Sequence, residues 1–289
     1  MEQTYPRLCA HRGFKAAAPE NTLPAFALAI ALGAPEIELD LWPSKDGDLI
    51  VCHDPDVSRT TGCAGLVTEL TTKEIRSLDA GSWFSPLFKG LRLPLFEEVL
   101  DLAAGRTMLN IHIKSMLANH PKSERASARN AAAKAALAPG GVLMPPLPVG
   151  IEEAFPEVED RPLIPYPEKD FARILDLLDR YRCRGQAYIA GEADVLMTAR
   201  AMAPDLPRCC LEGHRNFTIV DHAIAYGCQR VQFWKGFFTQ AMLDKAKAHG
   251  ITCNLFWADD PAEARAYMNL GIDCVLTNNY QPVAAGLQC

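Results

Sequence analysis

Eight short apolar runs, separated by stretches of helical periodicity, constrain this chain more than any other feature. The runs are "RLCAH", "EIELDL", "TMLNIHIK", "QAYIA", "RCCLE", "RVQFW", "ITCNLFW" and "DCVLT". Helix-like stretches cover 22–32, 96–104, 168–181, 193–202, 219–226, 239–249 and 261–270. Strands that alternate with helices bury both of their faces when a parallel sheet is covered by its crossovers. Eight such units in 289 residues give the expected fold class, α/β, as a closed (β/α)8 TIM barrel. An open doubly wound sheet is the alternative, but no G-x-G-x-x-G opens the first unit. We read the chain as one domain, 1–289, interrupted twice. A small insertion at about 55–94 follows the second strand, introduced by an extra strand in "GDLIVCHD". An expanded, proline-rich segment at about 115–167 follows the third. Loops of that length usually carry function or are mobile.

Composition narrows the partners. A net charge of −6 argues against nucleic acid, which recruits a basic face. No run approaches the roughly 18 apolar residues of a membrane span, so no transmembrane segment is expected. The start, "MEQTYPRLCAHRG", lacks the basic and apolar regions of a signal peptide. The ten cysteines are scattered, several in strands, and none has zinc-site spacing. Buried free thiols and a cytoplasmic setting follow. The expected partner is a small molecule, and the oligomeric state is left open.

In a barrel of this kind the chemistry collects at the carboxyl ends of the strands. Those ends carry His11-Arg12, Glu38 with Asp40, His112 with Lys114, and Trp257. Residues two apart on a strand share a face, so Glu38 and Asp40 can enter the mouth together. Two acids there repel each other, and a divalent cation relieves them. His112, on the next strand, is placed to be a third ligand, and Lys114 beside it can hold an anion. Each element also has a plainer reading. Glu38 and Asp40 could form a half-exposed strand face, and His53-Asp54 could cap a turn. Asn21-Thr22 reads equally as a helix N-cap or a ligand contact, and Trp257 as rim packing.

The ordered motifs "HRG", "PENT", "EIELDLWPSKDGDLIVCHD", "SRTTGCAG" and "LDAGSWFSPLFKGLRLPLFEEVL" resemble the glycerophosphodiester phosphodiesterase family. The likeness is close over the first 114 residues and returns in "NLFWADDPAEARAYMNLGIDCVLTNNY". It implies a metal-dependent (β/α)8 barrel that hydrolyses glycerophosphodiesters to glycerol 3-phosphate and an alcohol. It further implies His11 and His53 as the acid–base pair, and Arg12 and Lys114 at the phosphate. Glu38 and Asp40 would bind the metal, and Glu20 would make a polar contact at metal or substrate.

Two departures stand out. His112 occupies the place of the family's usual third metal-binding glutamate, and "TNNY" replaces its Thr-Asp ending. One carboxylate fewer and one nitrogen more should weaken Ca²⁺ and favour Mg²⁺ first, then Mn²⁺ or Zn²⁺. As a ligand, His112 has to be neutral, so metal affinity is expected to fall as pH drops through the imidazole range. The other reading has His112 hydrogen-bonding beside the metal. The nucleophile is either water or a neighbouring substrate hydroxyl. The rival functions are a same-fold metal enzyme for a lysophospholipid, a phosphodiester-linked polyol or a glycan, and a binding protein with weakened catalysis.

Overall fold

The computed structural model describes residues 5–114, 164–213 and 217–288. Most of the expanded segment expected at 115–167, with its alanine-rich part, lies outside the described residues. The strands are β1 (Arg7–His11), β2 (Glu36–Pro43), β3 (Leu49–Val51), β4 (Met108–Ile113), β5 (Ala187–Gly191), β6 (Arg208–Cys210), β7 (Arg230–Trp234), β8 (Thr252–Phe256) and β9 (Cys274–Thr277). They hydrogen-bond in the order β1-β9-β8-β7-β6-β5-β4-β2-β3, and a further β1–β2 pairing closes eight parallel strands into a barrel. β3 lies outside the ring, antiparallel to β2. The closed barrel excludes the open sheet. All eight apolar runs became barrel strands, and "GDLIVCHD" supplied the extra one.

Strand parity explains where the polar residues went. On β1, β2 and β4, Leu8, Ala10, Ile37, Leu39, Leu41, Leu109, Ile111 and Ile113 join the large apolar core with residues of the surrounding helices, such as Phe26, Phe96, Phe171 and Val195. The alternate residues, Arg7, His11, Glu36, Glu38, Asp40, Asn110, His112 and Lys114, share the opposite face. Low in the barrel they satisfy one another. Arg7 pairs with Glu36, the Tyr188 hydroxyl donates to Glu36 Oε1 (2.6 Å), and Asn254 Nδ2 donates to the Tyr188 oxygen (2.9 Å). The upper layer forms the candidate site.

The insertion after β3 packs on β2 and β3 in a second apolar cluster, Trp42, Ile50, Cys52, Val57, Val67, Ile75, Ala80 and Leu93. It carries short helices at Ser58–Thr61 and Thr72–Ile75. Asp79 fastens its aromatic loop by accepting from the backbone N–H groups of Gly81, Ser82 and Gly90.

The long helices fall within a residue of expectation, for example Leu23–Ala31, Phe96–Ala103, Glu168–Arg180 and Pro261–Leu270. The helix Tyr280–Leu287 went unread. Pro282 in its first turn costs little, because no intrahelical N–H bond is lost there, but Gly286 near its end lowers its propensity. Packing overrides that: a Cβ on Gly286 would lie 2.5 Å from the Pro261 Cβ, so the two helices approach closely. The described cysteines are free thiols, and all but Cys63 are buried. No described helix is long and apolar enough to cross a membrane.

Candidate active site

The sharp turn after β1 shapes one wall of the mouth. Arg12 is left-handed at φ 57°, and the following Gly13 is at φ 78°. This turn aims the Arg12 backbone N–H at Glu38 Oε2 (3.0 Å). Arg12 Nη1 donates to Glu20 Oε1 at 2.8 Å, and its Nε lies 3.5 Å from Asp40 Oδ2. Asn21 is also left-handed (φ 55°) and its Nδ2 donates to Asp40 Oδ2 at 2.8 Å. Of the two readings of Asn21-Thr22, the side chain of Asn21 therefore serves the site. Thr22 occupies the N-cap position without a side-chain capping bond, its hydroxyl donating instead to the Pro19 carbonyl.

Register brings the acids and their neighbours together. Asp40 pairs with His112 across β2 and β4, and Glu38 with His11 across β1 and β2. Glu38, Asp40 and His112 offer ligand atoms within 4.8 Å of one another. Lys114 Nζ lies 2.7 Å from Asp40 Oδ1 and 3.0 Å from His112 Nδ1. His112 Nδ1 also lies 3.2 Å from Asp40 Oδ1, so it stands between a donor and an acceptor. Burial, then Lys114, push the His112 imidazole down to about 4. Burial and the adjacent Asp40 push Glu38 up, whereas Lys114 and His53 outweigh burial at Asp40 and hold it down.

This donor set fits a divalent metal. Its imidazole is already neutral, and one of its two buried carboxylates is short of positive charge. Because burial and Lys114 lower the His112 imidazole to about 4, a metal held there would compete with its protonation below the ordinary imidazole range.

The two histidines are held alike. His53 Nδ1 donates to Asp54 Oδ1 at 2.7 Å, so His53-Asp54 is an oriented pair rather than a turn cap alone. His11 Nδ1 lies 2.7 Å from Asn278 Oδ1, and His11 Nε2 is 3.7 Å from Glu38 Oε2. Burial, then Arg12 and Lys15, lower the His11 pKa well below its ordinary value. Burial lowers that of His53 too, while Asp40 pulls it up and Lys114 down. Phe256 packs on the His11 ring (centroids 4.6 Å), and Trp257 abuts Phe256 on the rim with Lys235 Nζ 5.9 Å from its ring. Glu20 contacts Arg12 and Arg59.

Sequence reading missed Asn278, Asp259 and Arg59. Asp259 accepts from both the backbone N–H (2.7 Å) and Nδ2 (2.8 Å) of Asn278. The departure at "TNNY" pointed to the first of these; nothing local pointed to Asp259 or Arg59.

A closed (β/α)8 barrel whose mouth gathers two oriented histidines, two cations and a Glu-Asp-His cluster defines the class of protein. Residues 11–138 match the model of the glycerophosphoryl diester phosphodiesterase family. It is 47% identical over 116 residues to a glycerophosphodiester phosphodiesterase of Caldanaerobacter subterraneus, covering 40% of this chain and 48% of that one. A Bacillus altitudinis glycerophosphodiester phosphodiesterase is 42% identical over 120 residues, covering 41% and 49%. The chain thus spans about half the length of the curated relatives it matches. The barrel fold is shared with an Oleispira antarctica phosphodiesterase solved in complex with the product sn-glycerol-3-phosphate. Its TM-score is 0.73 at 22% identity, over 99% of this chain and 98% of that one.

Proposed function

We propose that the chain is a metal-dependent hydrolase of glycerophosphodiesters, releasing glycerol 3-phosphate and an alcohol by His/His acid–base catalysis. The observation that carries this reading is the convergence, on one barrel mouth, of the Glu38-Asp40-His112 cluster with two histidines whose Nδ1 atoms are both engaged. Glu38, Asp40 and His112 would hold the metal, with Mg²⁺ the first expectation. Bound there, the metal would neutralise charge on the phosphoryl oxygens.

The residues of the chain supply the rest. Arg12 and Lys114 bring fixed positive charge to the phosphate. Each histidine spends Nδ1 on orientation and leaves Nε2 for proton transfer. Burial keeps His11 neutral, ready to accept a proton, and the carboxylate of Asp54 stabilises a charged His53. Trp257 and Phe256 wall the mouth with apolar surface and dry it. The relative solved with sn-glycerol-3-phosphate supports a three-carbon phosphate as the product.

The test is a panel of glycerophosphodiesters, lysophospholipids and non-glycerol phosphodiesters, scored by phosphomonoester release with and without EDTA. Release of glycerol 3-phosphate from glycerophosphodiesters, abolished by EDTA, is expected. Activity confined to another phosphodiester class would overturn the substrate assignment. Activity insensitive to EDTA would overturn the metal.

A further inference from the structure

His53 and Arg12 reach the mouth from different parts of the chain. Arg12 stands in the turn after β1, and His53 follows β3 at the start of the insertion. They have to face the same phosphate, so something must hold the insertion in register with the barrel. From β2 the Trp42 indole N–H holds the His53 carbonyl (3.2 Å), and Arg59, on the short helix Ser58–Thr61 of the insertion, connects the side chains. Its Nη2 donates to Glu20 Oε1 at 2.6 Å and its Nε donates to Asp54 Oδ2. The same Glu20 oxygen accepts from Arg12 Nη1 at 2.8 Å. The other oxygen of Asp54 accepts from His53 Nδ1 at 2.7 Å. The result is a continuous line of charge-assisted hydrogen bonds, Arg12–Glu20–Arg59–Asp54–His53.

We infer that Arg59 is a positioning residue that couples the phosphate-binding arginine to the insertion histidine, with one edge of its guanidinium on each carboxylate. The inference rests on the proposed function and deepens it. The planar fork suits the task because its donors diverge at fixed angles and its charge is permanent. Glu20 is nearly enclosed, at 9% side-chain exposure, whereas Arg59 is 44% exposed. Arg59 therefore closes the line from the solvent side. Without it, Glu20 would keep Arg12, and Asp54 would keep His53, but nothing in this line would tie one pair to the other.

A double-mutant cycle tests this. Wild type, Arg59→Ala, Arg59→Lys, His53→Ala and the double variant His53→Ala/Arg59→Ala are compared on glycerophosphocholine with metal present. Arg59→Ala should lower kcat about 10-fold through His53 and raise KM about 3-fold or more through Arg12. Arg59→Lys, which can serve one carboxylate at a time, should recover one of the two parameters and not both. On the His53→Ala background, removing Arg59 should raise KM and leave kcat unchanged. Loss of kcat by the same factor on both backgrounds would show a merely structural role, as would wild-type kinetics in Arg59→Ala. Thermal melts confirm folding; if Arg59→Ala melts early, Arg59→Gln replaces it.

Calorimetry with glycerol 3-phosphate reads the Arg12 arm without turnover. Weaker binding in Arg59→Ala than in wild type is expected, and equal binding would overturn the coupling. A wild type that binds this ligand but cleaves no glycerophosphodiester would refute the proposed function, with the coupling still decided by the binding comparison.

Discussion

His11 Nδ1 stands 2.7 Å from the side-chain oxygen of Asn278, and that contact fixes which tautomer the histidine adopts. Asp259 accepts from Asn278 Nδ2 at 2.8 Å, so the amide is oriented with its oxygen toward the imidazole. An amide oxygen only accepts, which puts the proton on His11 Nδ1 and the lone pair on Nε2. Asn278 is neutral, so its hydrogen bond raises the His11 pKa less than a carboxylate in its place would. Asn278→Asp adds a negative charge there and should raise the His11 pKa. The limb of the kcat/KM profile that His11 controls should then move to higher pH. An unmoved profile in an active variant would show that His11 does not control either limb.

The two histidines act on one bond, so each alone should be nearly as costly to lose as both. His11→Ala and His53→Ala are each expected to lower kcat by about 10² to 10⁴. The double variant should be little worse. Steady-state kinetics decide it, and near-wild-type turnover in either single variant removes that residue from the chemistry.

Metal binding should release a proton from Glu38 and none from His112. The Glu38 carboxyl is raised by burial and by Asp40, so it holds a proton to higher pH than an ordinary glutamate, and a cation must expel it. Affinity should therefore rise with pH through the neutral range. It should show no separate step near the ordinary imidazole value, because His112 is lowered to about 4. Calorimetric titrations with Mg²⁺ or Mn²⁺ in buffers of different ionisation enthalpy count the protons. Proton release that follows an imidazole titration near 6.5 would contradict the assignment.

His112 is expected to be a ligand through Nδ1, the atom that now faces Lys114. His112→Ala should weaken metal binding by about 10-fold or more, taking the scale of outer-shell losses as a floor. His112→Glu should retain the metal and shift preference toward Ca²⁺, since a third carboxylate suits a larger, harder ion. Unchanged affinity in His112→Ala at pH 7.5 would leave the histidine as a neighbour of the metal only.

Gly13 tests the turn that aims Arg12. Its φ is +78°, and a Cβ there would lie 2.6 Å from the Ala25 carbonyl carbon. The left-handed conformation costs a non-glycine residue about 1–2 kcal/mol, and overpacking adds roughly 1–3 kcal/mol. Gly13→Ala should lower the melting temperature by several degrees. A melt equal to wild type would mean that the helix Leu23–Ala31 can shift away freely.

The sequence by itself determined the barrel and placed most of the candidate residues at one end of it. Strand and helix identity follow from local periodicity, which is carried by neighbouring residues, and the parity of Glu38-x-Asp40 and His112-x-Lys114 already put each pair on one face. The helix Tyr280–Leu287 escaped because its stability comes from the close fit of Gly286 on Pro261, not from its own propensity. Tertiary structure alone decided that Lys114 bridges Asp40 and His112 and that burial keeps His112 neutral. It also decided that Asn278 and Arg59 stand behind the two histidines. Lys114–Asp40 and His11–Asn278 are contacts between residues far apart in the chain, and the neutral imidazole is a consequence of excluding water. Arg59 reaches Asp54 nearby but Glu20 only through the fold. No spacing in the sequence encodes a distance across a barrel, because that distance is set only when the eighth strand closes on the first.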